Sequence, residues 1–392
     1  MLREFASLLE SEGQFPQFDA FLQHGSECWP QRLTSRFPTM ARWQGLPILR
    51  QRILALCGVT TPATVLFASA SRHLARVAFQ MLSHRCERIL CSDSDWPEFQ
   101  AMLRQQLVQS GGYLHNINLT HPFLPDESRH GREYRLAAAW KKHNCDGALI
   151  TAASADGLVT RVNRFVEAIS KDVRSGFLVV DGSQQAGHMP IELGPEFHGI
   201  YVAGTHKWLR SGVPLSFGVV VHDRETPDAH MPIRRAIRLS LVDDSLLLQT
   251  ADVGLENPRQ TMRLEPLLAA SLAIEHVPEN RLQDMLTIRR RNAFRIFNMV
   301  TDLQLPLTPR ACQGIVQLQC SGGNAQEIQQ HLAEQGLTLS ACSDHRLRIS
   351  CPAKDFTPPE MNELWRIFGS LVDHYGPVQQ QESELDEVQS VA

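Results

Sequence analysis

The sequence predicts an α/β protein: a large domain on a mostly parallel central sheet sandwiched by helices, with a smaller α+β domain beside it. Two observations predict it. From about residue 45 to 225, short apolar runs alternate with helical patterns, and near residue 263 the texture changes to long helices followed by short strands around one helix. A chain of 392 residues is long enough for one large domain and one smaller one.

The strand candidates are TVLFAS (64–69), RILCSD (88–93), GALITAA (147–153), GFLVVDG (176–182), GIYVAG (199–204) and FGVVVH (217–222). They are rich in Val, Ile and Leu and nearly continuous, as strands covered on both faces should be. Helical patterns such as RHLARVAFQMLSHR (72–85) and PEFQAMLRQQLVQSG (97–111) lie between them. Beyond residue 263, LEPLLAASLAIEHV and NRLQDMLTIRRRNAFRIFNMV read as long helices, then GIVQLQC and LRISC as strands flanking the helix AQEIQQHLAEQG. The expected division is therefore a large domain over 45–262 and a small domain formed by 1–44 and 263–378. The polar, acidic segment 379–392 is expected to be a disordered tail.

Composition excludes several classes of function. Lys+Arg 38 against Asp+Glu 42 gives a net charge of −4 with no basic block, so no footprint for nucleic acid or an anionic membrane surface exists. No apolar run approaches the ~18–20 residues of a membrane span. The N-terminal MLREFASLLESEGQF carries acidic residues where a signal peptide needs an unbroken apolar stretch, so the chain reads as cytoplasmic. The nine cysteines, at 28, 57, 86, 91, 145, 312, 320, 342 and 351, form no CxxC and no zinc-ligand spacing. They are expected to be free thiols, and no metal is expected.

The most informative stretch is VVDGSQQAGHMPIEL (179–193) followed by GIYVAGTHKWLRSGVPLSFGVVV (199–221). Asp181 ends an apolar strand, which places its carboxylate at the carboxyl edge of the sheet, where α/β proteins bind ligands. Lys207 follows another apolar strand 26 residues later, after the small residues Ala203 and Gly204. An amine and a carboxylate so placed suit pyridoxal 5′-phosphate (PLP), which needs a lysine for its Schiff base and an acid at its pyridine nitrogen.

At these residues the chain resembles the class V aminotransferases, the fold type I PLP enzymes that include cysteine desulfurases, isopenicillin N epimerase-like enzymes and kynureninases. Their pattern is a strand ending in Asp-x-x-Gln/His-x-x-Gly, then a small residue, His or Tyr, and Lys. It reads here as Asp181, Gln184 and Gly187, then Thr205, His206 and Lys207. The resemblance implies that Lys207 carries the cofactor, Asp181 pairs with the pyridinium and Gln184 contacts the phenolic oxygen. Thr205 and His206 are implied to lie beside the phosphate or the ring.

Further along, the resemblance implies phosphate contacts from Ala70 and Ser71 in FASASRHLARVAF (67–79), and stacking on the ring by Trp96 in SDSDWPEF (92–99). It puts Ser154 of TAASADG (151–157) where an Asn usually sits near the phenolic oxygen. Asn257 of DVGLENP (252–258) matches the loop that reaches a partner subunit's phosphate, and Arg348 of HRLRIS (345–350) matches the clamp on the substrate carboxylate, with Arg346 its rival. Cys342 lies six residues ahead of Arg348, near the place of a desulfurase nucleophile, although the loop that usually carries it is short here. His188 is expected to be structural.

The resemblance thus implies an enzyme of an amino-acid substrate, acting through a carbanion at Cα, as a homodimer. Aminotransfer is the leading expectation; β- or γ-elimination, C–S lyase or cysteine desulfurase activity, and epimerisation are alternatives. A PLP-fold binding or regulatory protein is the non-enzyme alternative. The Trp- and His-containing motif of kynureninases is absent, and GLENP (254–258) replaces the usual Gly-Thr-Pro-Asn. These departures point to a divergent member with its own substrate, in specialised metabolism.

Overall fold

A computed structural model describes residues 45–119, 131–155, 157–170, 176–221, 265–275, 277, 279–320 and 325–375. They fall into two units, the larger from residues up to Ser154 and from Leu158 to Asp284, the smaller from Ala155–Gly157 and Met285 onward. Asn257, the segment 1–44 and the segment 379–392 lie outside the described residues.

The larger unit is built on a seven-stranded sheet: β1 (Ala63–Ala68), β2 (Arg88–Ser92), β3 (Tyr113–Ile117), β4 (Gly147–Thr151), β5 (Phe177–Asp181), β6 (Gly199–Gly204) and β7 (Ser216–Val221). Across the sheet the order is β1-β7-β6-β5-β4-β2-β3. Every pairing from β6 to β3 is parallel, and only β7 runs antiparallel, between β1 and β6. Strands β4 to β7 are buried along their whole length, which is why their sequences are unbroken apolar runs.

Six helices of this unit are α1 (Gly45–Leu56), α2 (Ser71–Arg85), α3 (Pro97–Ser110), α4 (Gly131–Lys142), α5 (Val162–Ser170) and α6 (Glu265–Glu275). Successive strand residues alternate between two cores. Leu66, Val179, Ile200 and Val220 pack with Leu74, Val77, Ala78 and Met81 of α2. Phe67, Val180, Tyr201 and Phe217 pack on the opposite face with residues of α1, α4, α5 and α6. Helix α3 starts at Pro97, whose missing N–H costs nothing in the first turn, and ends at Gly111 in a left-handed conformation (φ +76°).

Two features depart from the sequence-based expectation. Strand β3 (YLHNI) escaped it, because an edge strand half open to solvent carries no apolar run. Helix α6, expected in the small domain, belongs to the larger unit: Leu267, Ala270 and Ala273 join its core, and Arg52 of α1 bonds Ser271 and pairs with Glu275 at 3.0 Å. The division falls at Asp284, inside the 24-residue helix α7 (Glu279–Asp302), and not at residue 262. Sequence texture changed at 263 because helices replaced strands there, which is not where the packing changes.

The smaller unit carries a four-stranded antiparallel sheet in the order β10-β11-β9-β8, from β8 (Leu307–Cys312), β9 (Ile315–Cys320), β10 (Ser340–Ser343) and β11 (Arg346–Ser350). A two-residue turn, Gln313-Gly314, joins β8 to β9 with both residues at positive φ (51° and 80°), the twist that matches a hairpin. Val316, Leu318, Leu347 and Ile349 face a core shared with α7, α8 (Ala325–Glu334) and α9 (Pro358–Tyr375).

Trp140 of α4 is 1% exposed and meets Phe165 of α5 edge-on at 5.9 Å between ring centroids. Trp140→Ala should lower the unfolding free energy by about 3–5 kcal/mol in urea titrations, the usual cost of emptying such a site. A loss under about 1 kcal/mol would mean that this contact does not hold α4 and α5 on the sheet.

Candidate active site

A parallel sheet delivers all its strand ends to one edge. Here Ala68, Ser92, Thr151, Asp181 and Gly204 end β1, β2, β4, β5 and β6, and Ser216 begins the reversed strand β7 at the same edge. The register sets them side by side: Thr151 opposite Asp181, Asp181 opposite Val202, Gly204 opposite Ser216, and Ser216 opposite Ala68. Segments far apart in sequence converge there.

Asp181 is buried, and its Oδ1 accepts the Ser183 N–H at 2.9 Å. The chain then turns tightly, with the Ala186 N–H bonded to the Gly182 carbonyl at 3.0 Å and the His188 N–H to that of Gln185 at 2.8 Å. Gly187 closes this turn at φ +79°, and a Cβ there would stand 2.7 Å from the Leu209 nitrogen. Only glycine permits the Asp181 loop to lie so close against the Lys207 loop. The indole N–H of Trp208 donates to Gln184 Oε1 at 2.8 Å, and the Trp208 ring stands over buried His188 with centroids 3.8 Å apart. With its carbonyl engaged by Trp208, Gln184 presents its NH2 as the donor.

Lys207 rises from a braced turn. Thr205 N–H and Oγ1 both donate to the Leu215 carbonyl, at 2.8 and 3.1 Å, and Oγ1 lies 2.8 Å from Ser211 Oγ. Ser211 N–H returns to the Thr205 carbonyl at 3.0 Å. The Thr205 hydroxyl, expected beside a phosphate or ring, is fully buried inside the turn and braces it. His206 and Lys207 are exposed. The His206 ring lies over Gly204, where a Cβ would meet Cε1 at 2.8 Å. Although its surface is largely open, partial desolvation of the ring, and secondarily the charge on Lys207, hold the His206 imidazole below its ordinary pKa.

Helix α2 begins beside this turn. Its N-cap is Ala70, in an extended conformation, and no side chain caps the first-turn N–H groups that Ser71 opens. Ser216 lies beneath. It shares the sheet face of Gly218 and Val220, which is the α2 face, since a Cβ on Gly218 would touch Leu74 at 3.7 Å. Its hydroxyl is buried without a hydrogen-bond partner among the described residues. A helix N-terminus with uncapped donors suits an anion. The residues present fit a phosphate here, and fit a protonated ring nitrogen at Asp181.

Asp95 was not anticipated from sequence. It is 2% exposed and ties two strand ends together: Oδ2 accepts the Ser92 N–H at 2.6 Å and the Ser92 hydroxyl at 3.2 Å, and Oδ1 accepts the Thr151 N–H at 2.8 Å. Trp96 follows directly at the N-cap of α3 and is 51% exposed. The clasp thus fixes where Trp96 leaves the sheet. The only signal in the sequence was an acid just before an aromatic. Ser154 is buried, and its hydroxyl bridges the Leu158 N–H (3.1 Å) and carbonyl (3.3 Å), so it closes a local turn.

In the smaller unit, Arg348 is half-buried on β11 and its Nη2 lies 3.5 Å from Ser340 Oγ. Cys342 is exposed on β10, at the register shift between Ala341 and Ser343. Among the described residues no group of three His, Cys, Asp or Glu is placed to hold a metal ion, and no helix is long and apolar enough to cross a membrane.

Burial pushes the Asp95 carboxyl up from 3.8 to about 6, with the donors from Ser92 and Thr151 opposing the rise. The fold therefore favours the protonated form, a contribution present below pH ~4 and lost as pH rises through ~6. Compared with Asp95→Asn, the wild-type protein should lose on the order of 3 kcal/mol between pH 4 and 7, because each tenfold gain in proton affinity on folding is worth about 1.36 kcal/mol. Urea titrations of both proteins across that range check it; a wild type that gains on the variant as pH rises would show that the donors outweigh burial.

No family model matches the sequence, and no curated protein does. Solved structures do match the fold. A ureidoglycine–glyoxylate aminotransferase from Bacillus subtilis superposes with a TM-score of 0.66 at 12% identity, over 89% of this chain and 90% of that one. A cysteine desulfurase from Thermococcus onnurineus gives 0.66 at 14% identity, over 92% of each chain. An aspartate aminotransferase from Thermus thermophilus gives 0.58 at 15% identity, over 88% of this chain and 94% of that one. With nearly the whole length of each chain aligned, this protein has the fold of the fold type I PLP-dependent enzymes.

Proposed function

We propose that the protein binds PLP through Lys207 and transforms an amino acid, with aminotransfer as the leading reaction. The observation that carries this is the placement of Asp181 and the Lys207 turn on neighbouring parallel strands, locked against each other by Gly187–Leu209 and Trp208–Gln184. When bound, PLP supplies an electron sink for negative charge at the substrate Cα.

The chain's residues then divide the work. Asp181 holds a proton on the ring nitrogen, and the Gln184 NH2 donates to the phenolic oxygen. The first-turn N–H groups of α2, with Ala70 and Ser71, receive the phosphate, and His206 donates one N–H beside it. Trp96 offers its exposed ring face for stacking. The Lys207 amine would hold the cofactor and would serve as the base that moves the proton at the substrate Cα. Arg348 orients the substrate through its α-carboxylate, a pairing that guanidinium geometry makes bidentate. In this reading Ser154 and Thr205 shape the site through its turns, and Asn257 serves a second copy's phosphate in a cytoplasmic homodimer. The exposure of Trp96 and Lys207 in the single chain supports a second copy beside them.

A second reading, sulfur transfer, is favoured by one observation: Cys342 is an exposed thiol six residues ahead of Arg348 on the adjoining strand. Loss of sulfur release from cysteine in Cys342→Ala would establish it, and unchanged release would remove it.

The main test is spectroscopic. With PLP added, the wild-type protein should show a band near ~420 nm from a lysine-bound cofactor, and Lys207→Ala should not. An amino acid that shifts the band identifies the substrate. Arg348→Gln should raise the half-saturating concentration of that amino acid by about 10–100-fold, the loss of one charge-assisted pair. Absence of any visible band in the wild type would overturn the proposal.

A further inference from the structure

Two loops at the strand-end edge of the larger unit are joined by a side-chain hydrogen bond that crosses 24 positions of sequence. Trp208 Nε1 donates to Gln184 Oε1 at 2.8 Å. Strands β5 and β6 are neighbours in parallel register, so the segment after Asp181 and the segment after Gly204 leave the sheet side by side. The indole is tightly held. Trp208 is 6% exposed, its ring lies against fully buried His188, and the backbone after it closes on Gly187.

The two partners are not interchangeable. An indole N–H only donates, whereas a glutamine amide has an acceptor end and a donor end. Turned the other way, Gln184 would set its NH2 against the indole N–H, two donors facing each other in a buried place. The bond therefore decides which end of the amide faces away from Trp208, and that end is the NH2. A half-buried Gln184 without this partner would present either end to a ligand.

We infer that Trp208 is a positioning residue for the cofactor: it holds the Gln184 NH2 toward the phenolic oxygen of PLP and so lowers the proton affinity of the lysine-bound imine. This rests on the proposed PLP site and deepens it, since the motif resemblance gave Gln184 a contact and Trp208 no role. The physical reason is electrostatic. Negative charge on the phenolic oxygen helps to retain a proton on the adjacent imine nitrogen, and a donor that shares that charge weakens the hold. An amide carbonyl in the same place would strengthen it. Because Trp208 directly follows Lys207, the residue that carries the cofactor and the residue that sets its proton affinity belong to one turn.

The test follows the visible band of the purified protein with added PLP as pH is raised, in wild type, Trp208→Phe, Gln184→Leu and the double variant. Trp208→Phe keeps an aromatic ring beside His188 and removes the N–H. Its midpoint should lie roughly one pH unit above that of wild type, a ten-fold gain in proton affinity from weakening one hydrogen bond to a charged oxygen. Gln184→Leu should raise the midpoint at least as far, and the double variant no further than Gln184→Leu alone, because Trp208 acts through Gln184. The titratable and charged groups around the pair are Asp181 and His188 on one turn, His206, Lys207 and Arg210 on the other, and Tyr201 beneath, bonded to the Gly182 carbonyl. All of them stay the same in every variant. A Trp208→Phe midpoint equal to that of wild type, or shifts that add in the double variant, would overturn the inference. Nuclear magnetic resonance of the indole N–H groups separates this from failure of the cofactor reading, because it needs no PLP. The Trp208 signal, identified as the one that Trp208→Phe lacks, should move in Gln184→Leu, and an unmoved signal overturns the inference whatever the band does. A moved signal with no visible band in wild type removes the cofactor reading, and with it this role for Trp208.

Discussion

The parallel register of β5 against β6 is the constraint on which the site depends. Asp181 stands opposite Val202, so both strands leave the sheet at the same edge and their loops meet there. A slip of one residue would turn Val179 and Val180 to each other's faces and break both cores at once. Burial of alternate residues on two apolar faces therefore fixes where a carboxylate and an amine emerge, although neither group contributes to that burial. Gly187 and Leu209 then hold the loops at a separation that any other side chain at 187 would widen.

Around that edge, several buried polar groups are answered by backbone groups. Asp95 joins the ends of β2 and β4 through three donors, and Asp181 accepts the Ser183 N–H. Thr205 and Ser154 engage their hydroxyls in the turns that carry them. These residues make the edge rigid, which a site needs if its groups are to stand ready without reorganising. The groups left outward are the ones with chemistry to offer: the Lys207 amine, the His206 imidazole, the Trp96 face and the first turn of α2. Ser216 stands apart, since its buried hydroxyl has no hydrogen-bond partner among the described residues, which carries a cost.

Much of this was legible in the sequence. Central strands β4 to β7 showed themselves as apolar runs because both faces are covered, and the Asp181, Gln184, Gly187 and Lys207 spacing marked the candidate site. The edge strands β3, β8 and β10 did not, since half-exposed strands mix polar residues into short segments, and β8 even contains Pro309. Thr205 matched a motif position, yet nothing in the motif told that its hydroxyl would turn inward. Asp95 was invisible for a related reason: its partners Ser92 and Thr151 come from two strands, and their adjacency is a property of the sheet order.

The same distinction bears on how reaction and recognition are encoded. Identities of 12–15% with proteins of the same fold leave few shared side chains, so the fold rests on apolar pattern and backbone ladders more than on particular residues. In the larger unit the parallel ladder sets Asp181 and Lys207, and in the smaller unit the antiparallel ladder sets Arg310, Gln317 and Arg348 in one row. The row faces away from the core formed by Val316, Leu318, Leu347 and Ile349. The Asp181–Lys207 edge is held by buried strands and close-packed turns.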